Sequence, residues 1–207
     1  MTGAEPYVPE NATLAELREA AQECKGCELY RNATQAVLGE GPGHAAVVMV
    51  GEQPGDKEDL AGQPFVGPAG ELLNRALEAA GIERAAVYLN NAVKHFKFEE
   101  RGKRRIHKKP TDGETTACKP WLWAELGRVK PAIIVCLGAT AARSVIGRQH
   151  KLLAQRGKFF EHPMARLVTA TVHPSAILRA PDSEAREAQY AAFVADLKAV
   201  KRRLSRV

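Results

Sequence analysis

Four short apolar runs punctuate this chain, and segments of helical spacing separate them. Residues 45–50 (AAVVMV) and 132–137 (AIIVCL) are continuously apolar, as in strands buried on both faces. Residues 86–91 (AVYLNN) and 166–172 (RLVTATV) complete a set of four predicted strands. Thr13 and Glu16 form a capping-box pair that opens a helix running toward Cys24. Thr111 and Glu114 open another that ends near Gly127. Residues 69–80 have helical spacing and stop at Gly81. A short helix starts at about Ala139, and a long amphipathic helix covers about 183–203. Residues 51–68 are rich in Gly and Pro and read as a loop. This alternation predicts an α/β chain: a three-layer α/β/α sandwich with a mostly parallel, four-stranded central sheet.

Ligands of such sheets sit at the carboxyl ends of the strands. Three unusual segments fall there: Gly51-Glu52-Gln53-Pro54-Gly55 after the first strand, Asn90-Asn91 after the second, and His173-Pro174-Ser175 after the fourth. They converge on one edge. The chain has 207 residues and is 45% apolar, which predicts a single domain over 1–207. No apolar run approaches the roughly 20 residues that span a bilayer. The N-terminus is polar and acidic and does not read as a secretory signal, so an intracellular, cytoplasmic setting without disulfides is expected. A monomer is expected.

Charge adds a local feature. The basic loop at about 94–110 holds eight Lys/Arg and two Glu, a net of +6, equal to the net charge of the whole chain. Basicity is therefore a local device. Charge runs are usually solvated loops, but concentrated positive charge is also what neutralising a phosphate backbone requires. His107 lies within it, a side chain able to act as a neutral nucleophile or base near pH 7. The basic tail at 198–206 reads as a solvated helix end.

Cys24, Cys27, Cys118 and Cys136 are all the cysteines, and the first two form C-x-x-C. Four thiols with none left over suit one four-cysteine site, for zinc or an iron–sulfur cluster. The bland reading is a redox C-x-x-C plus two buried thiols, but no βαβ unit follows the motif.

GEQPG after the first strand, GQPFVGPAG behind it and HPSAILR after the last strand resemble the uracil-DNA glycosylase superfamily. The four cysteines resemble its iron–sulfur, family-four branch. KRRIHKKP resembles a narrower group, the UdgX type, whose members bond covalently to uracil-DNA. The resemblance implies a [4Fe-4S] cluster held by Cys24, Cys27, Cys118 and Cys136. It implies a partner, uracil-containing DNA, single-stranded or duplex, from which uracil is flipped and excised. It also implies that His107 then captures C1′ of the sugar. Family-four enzymes usually carry a small residue where Gln53 stands, which also points toward the trapping type.

Roles follow. A base inside a duplex must be flipped out to be reached. Phe65 offers it a stacking face, and the Asn91 amide can donate to uracil O4 and accept from N3–H. Asn90 is the alternative should the register shift by one. By the resemblance, His173 donates to O2 as negative charge develops on the departing base, and Gly51 lines the pocket. Glu52 faces the developing sugar cation or takes a proton from His107. Gln53 holds the loop or contacts the base. Lys103, Arg104, Arg105, Lys108 and Lys109 are expected to grip phosphates, with Ser175, Leu178 and Arg179 beside the gap. His44, His95, His150 and His162 carry no motif and read as surface or core residues. Two competing readings are an ordinary multiple-turnover glycosylase and a non-catalytic nucleic-acid-binding protein with a structural metal site.

Overall fold

The computed structural model describes residues 3–206. In chain order its principal elements are helix α1 (Leu14–Ala20), strand β1 (Val47–Gly51), helices α2 (Asp56–Ala61) and α3 (Pro68–Ala79), and strands β2 (Val87–Asn91), β3 (Phe98–Arg101) and β4 (Arg104–His107). Helix α4 (Asp112–Val129), strand β5 (Ile133–Leu137), helices α5 (Ala139–Val145) and α6 (Leu152–Gln155), strands β6 (Phe159–His162) and β7 (Ala165–Thr171), and helices α7 (Pro174–Leu178) and α8 (Ser183–Leu204) follow. Both predicted capping boxes are formed, Thr13 with Glu16 and Thr111 with Glu114.

The central sheet has five strands in the order β2-β1-β5-β7-β6, one more than the four expected. β2, β1, β5 and β7 run parallel, and the added strand β6 pairs antiparallel with β7 at the edge. Alternate side chains of the parallel strands enter two cores. Val47, Met49, Ile133 and Val135 pack under α3 and α8, while Val48, Val50, Ile134 and Cys136 pack under α4 and α5. The sheet is thus covered on both faces, as parallel sheets require. A third apolar cluster joins the N-terminal segment to the start of α4, through Leu17, Leu29, Trp121 and Cys118.

Two further segments depart from expectation. The stretch read as a loop over 51–68 contains α2. Its sequence DKEDLA has acidic groups in the first turn, and Gly62 ends it in a left-handed conformation at φ +71°. The basic loop is an antiparallel hairpin, β3 with β4, turning at Gly102. Its first residues are not part of the exposed arm: Lys94, His95 and Phe96 are buried. No helix among the described residues is long and apolar enough to cross a membrane.

Candidate active site

β1 and β2 end side by side, with Gly51 paired to Asn91. A Cβ on Gly51 would strike Asn91 Oδ1 and stand 2.8 Å from Phe65 Cζ, so an amide and an aromatic ring converge over this glycine. Asn91 is buried, yet its side chain makes no hydrogen bond with any described residue. Its amide atoms are not sealed from solvent, unlike the unpaired Asn90 Nδ2, and are open to a partner of matching donor–acceptor pattern. Asn90 faces the other way, accepting from Lys94 Nζ and from the Asn91 backbone N–H. Phe65 sits at φ +60°, a strained conformation for a non-glycine residue. Gly70 permits it, since a Cβ there would collide with the Phe65 carbonyl.

His173 caps the first turn of α7 and faces Phe65, ring centroids 6.0 Å apart at 25°. Its Nδ1 accepts from the Ser175 backbone N–H at 3.2 Å and lies 2.8 Å from Ser175 Oγ. In the neutral ring the proton is therefore on Nε2, leaving that nitrogen a donor. Burial, with smaller contributions from Arg179 and His107, pushes the pKa down to about 4. The ring is a neutral donor at pH 7. Ser175 thus serves His173 through its hydroxyl, and Leu178 is half-buried against the core beside α3 and α8.

Glu52 follows Gly51. Its Oε1 lies 3.4 Å from His107 Nε2, and its Oε2 accepts a hydrogen bond from Thr140 Oγ. Thr140 has no sequence motif; only its place in the first turn of α5, at the carboxyl edge, hints at this contact. His107 is half-exposed at the end of β4. Burial lowers its pKa, the Glu52 carboxylate opposes that, and Arg179 adds to it, so the net shift is downward.

The hairpin carrying His107 is anchored at its base and its flank. Gln53 Nε2 donates to the carbonyls of Lys97 and Lys108, both at 3.1 Å, and its Oε1 accepts from the Lys97 N–H at 3.1 Å. Arg105 is not a free phosphate contact. Its guanidinium pairs with Asp56 at 2.5 Å and with the buried Asp59 at 2.6 Å. It also lies over the rings of Phe96 and Phe98. Lys108 pairs with Glu99 at 2.6 Å. The side chains of Lys103, Arg104, Lys109 and Arg179 are exposed and make no hydrogen bond or ion pair among the described residues.

The cysteines divide three to one. Cys24, Cys27 and Cys118 share the N-terminal apolar cluster. Trp121 Nε1 donates to Cys24 Sγ and the Lys94 N–H to Cys118 Sγ, both at 3.2 Å. Burial pushes the Cys118 thiol up to about 12, with Lys94 opposing and Cys27 and Cys24 adding. Cys136 stands elsewhere, inside the sheet between Val50 and Ala170, where burial alone raises its thiol. Strand alternation points it into the core under α4 and α5, away from the other three. Among the described residues, no three His, Cys, Asp or Glu side chains converge on a single-ion site.

The carboxyl edge of the parallel sheet thus gathers the Phe65 ring, the Asn91 amide, the neutral His173 donor and the Glu52 carboxylate. Residues 38–198 match the model of the uracil DNA glycosylase superfamily, and the chain belongs to that superfamily. It is 38% identical over 169 residues to the type-4 uracil-DNA glycosylase of Thermotoga maritima, covering 81% of this chain and 84% of that protein. It is 37% identical over 175 residues to the type-4 enzyme of Pyrobaculum aerophilum, covering 81% and 86%.

Proposed function

We propose that this protein excises uracil from DNA and then retains the sugar covalently through His107. The observation that carries the excision reading is the Asn91 amide, free of protein hydrogen bonds, facing Phe65 across Gly51 on a residue only 3% exposed. Uracil O4 and N3–H match that amide, whereas cytosine presents the opposite pattern and leaves both groups poorly paired. As the C1′–N1 bond breaks, its electron pair leaves on uracil, and His173 Nε2–H is available to O2. Positive charge develops on the sugar within reach of Glu52.

The capture reading rests on His107. A downward-shifted pKa keeps the imidazole neutral at pH 7. Its lone pair can bond C1′, and the resulting imidazolium charge is balanced by Glu52, 3.4 Å away. The Gln53 and Arg105 contacts hold the nucleophile near its target, which favours attack over that of free water. Lys103, Arg104, Lys109 and Arg179 have free charges for phosphate, and Lys108 is close by. Cys24, Cys27 and Cys118 fit a [4Fe-4S] cluster as three of its ligands; the cluster would tie the N-terminal segment to α4, and Cys136 does not fit as the fourth.

A denaturing gel with uracil-containing oligonucleotide tests the reading. Wild type should form one denaturant-stable adduct per active site. His107→Gly should lose the adduct and release uracil with turnover, because water enters the vacated space. A full adduct yield from His107→Gly would place the nucleophile elsewhere. An ordinary turnover enzyme is the second reading, favoured by the type-4 name of the relatives, and wild-type turnover without adduct would establish it.

A further inference from the structure

We propose that a cleft between α4 and α5 takes a phosphodiester group of the substrate strand, to one side of the reacting nucleotide; this rests on the uracil-DNA reading above. The strand then crosses the carboxyl edge of the sheet from one face to the other, over Glu52 and His107.

The cleft is built from two helix faces. Asp112, Thr116 and Lys119 recur at i, i+4 and i+7 on α4, and Thr140 and Arg143 at i and i+3 on α5. Together with Lys109 and Arg148 they line a cavity of about 300 Å³. Four cations, Lys109, Lys119, Arg143 and Arg148, stand there against the one carboxylate of Asp112. Lys109, Arg143 and Arg148 are exposed and make no hydrogen bond or ion pair among the described residues. Their charge is therefore not spent inside the protein, as that of Arg105 is. Lys119 Nζ lies 5.3 Å from the Trp123 ring centre, a contact that leaves its charge in place. Thr116 donates its hydroxyl to the Asp112 carbonyl within α4, so the cations carry the recognition. Positive charge without a fixed donor pattern suits a phosphodiester, which carries charge and no base identity.

Position says which phosphodiester. Thr140 lines the cleft, and its hydroxyl donates to Glu52 Oε2. Lys109 lies two residues past His107, whose Nε2 is 3.4 Å from Glu52 Oε1. The cleft thus opens beside the point where C1′ is held. α4 and α5 cover one face of the sheet. α7 lies on the other face with α3 and α8, and Arg179 at its end is exposed and unpaired among the described residues. The Arg179 charge is felt at His107. Cations therefore stand on both faces with Glu52 and His107 between them, as a strand crossing the edge requires.

The test uses full-length protein and single-stranded oligonucleotides carrying 2′-fluorodeoxyuridine, whose glycosidic bond resists cleavage. Phosphates are replaced one at a time by uncharged methylphosphonates, and affinity is measured for wild type and for Arg143→Gln/Arg148→Gln. Both arginines are exposed, so the double variant should keep the wild-type Tm. One linkage on one side of the uracil should cost wild type at least about tenfold in affinity and cost the variant little. The log–log salt slope of the variant should fall by about 0.7, the value of one single-strand phosphate. An unchanged slope with identical methylphosphonate profiles would overturn the proposal. Stabilisation of wild type by inorganic phosphate, absent from the variant and with DNA binding unaltered, would assign the cleft to a free anion and overturn it too. Wild-type protein that binds thymine strands equally well and releases no uracil from unmodified uracil-DNA would overturn the excision reading instead, and the salt slope on any strand would still decide the cleft.

Discussion

Arg105→Ala separates anchoring from phosphate binding, because Arg105 stands in a run of cations yet spends its charge inside the protein. The substitution leaves Asp59, which is 0% exposed, with only the Thr34 N–H and hydroxyl as donors. Breaking a buried pair on one side costs about 3–5 kcal/mol. Arg105 is partly exposed and Thr34 remains, so about 3 kcal/mol is the expected loss. For a chain of this length that is a fall in Tm of roughly 6–12 °C. The hairpin also loses its contact with α2, and His107, two residues along, loses its placement. Adduct formation should slow by at least about tenfold while uracil release persists. The salt dependence of DNA binding should hardly change, since two carboxylates already neutralise the guanidinium. Arg104→Ala should do the reverse, lowering the log–log salt slope by up to about 0.9 at unchanged Tm. Thermal melts, gels and binding titrations at several salt concentrations read all three quantities. An Arg105→Ala protein with wild-type Tm and a reduced salt slope would refute the reasoning.

Asn91→Ala should reduce uracil release by at least about tenfold, from the ~1–3 kcal/mol of a polar edge left unpaired in the pocket; steady-state kinetics on uracil-DNA check it. Lys94→Met should destabilise by about 3 kcal/mol or more, because it strands the 0% exposed Glu125 carboxylate paired with Lys94 at 2.6 Å; denaturant midpoints measure it, and a midpoint unchanged from wild type contradicts it. Adduct formation should be flat with pH above the ordinary histidine range and decline only as acid protonates His107, whose pKa is shifted down; an acid limb centred above pH 6.5 would contradict this. His173, at about 4 when folded against about 6.5 unfolded, binds its proton more readily when unfolded. It therefore contributes on the order of 3 kcal/mol that is present above pH 6.5 and lost as pH falls toward 4, and His173→Gln should flatten that part of the stability–pH curve.

The parts of the fold that were legible depend on local signals. Runs such as AAVVMV and AIIVCL mark central strands because both faces are buried, and the two capping boxes mark helix starts through contacts three residues apart. Helix α2 was hidden because DKEDLA shows no apolar periodicity. Strand β6 was hidden because four residues at a sheet edge carry little pattern. The segments at the carboxyl edge were legible because they follow strands directly. The fate of Arg105 was not, since its partners lie 46 and 49 residues earlier. Counting cysteines could not separate Cys136 from the others. That division depends on which way a strand residue faces and on where α4 passes.

The amide of Gln53 has a consequence for portability. The Lys108 N–H already donates to the Lys97 carbonyl at 2.9 Å, and Gln53 bonds the backbone on both sides of that junction. The hairpin therefore leaves and re-enters the framework at nearly one point. Replacing residues 98–107 with a two-residue turn joins ends that already touch, at small loop-closure cost. The shortened chain should keep Asn91, Phe65 and His173 in place and lose the arm that bears His107, together with the Arg105 partner of buried Asp59, so Asp59→Asn belongs with the deletion. By the same geometry, grafting the arm onto another member of this superfamily that has a short turn there requires a glutamine opposite the junction and the two carboxylates that receive Arg105.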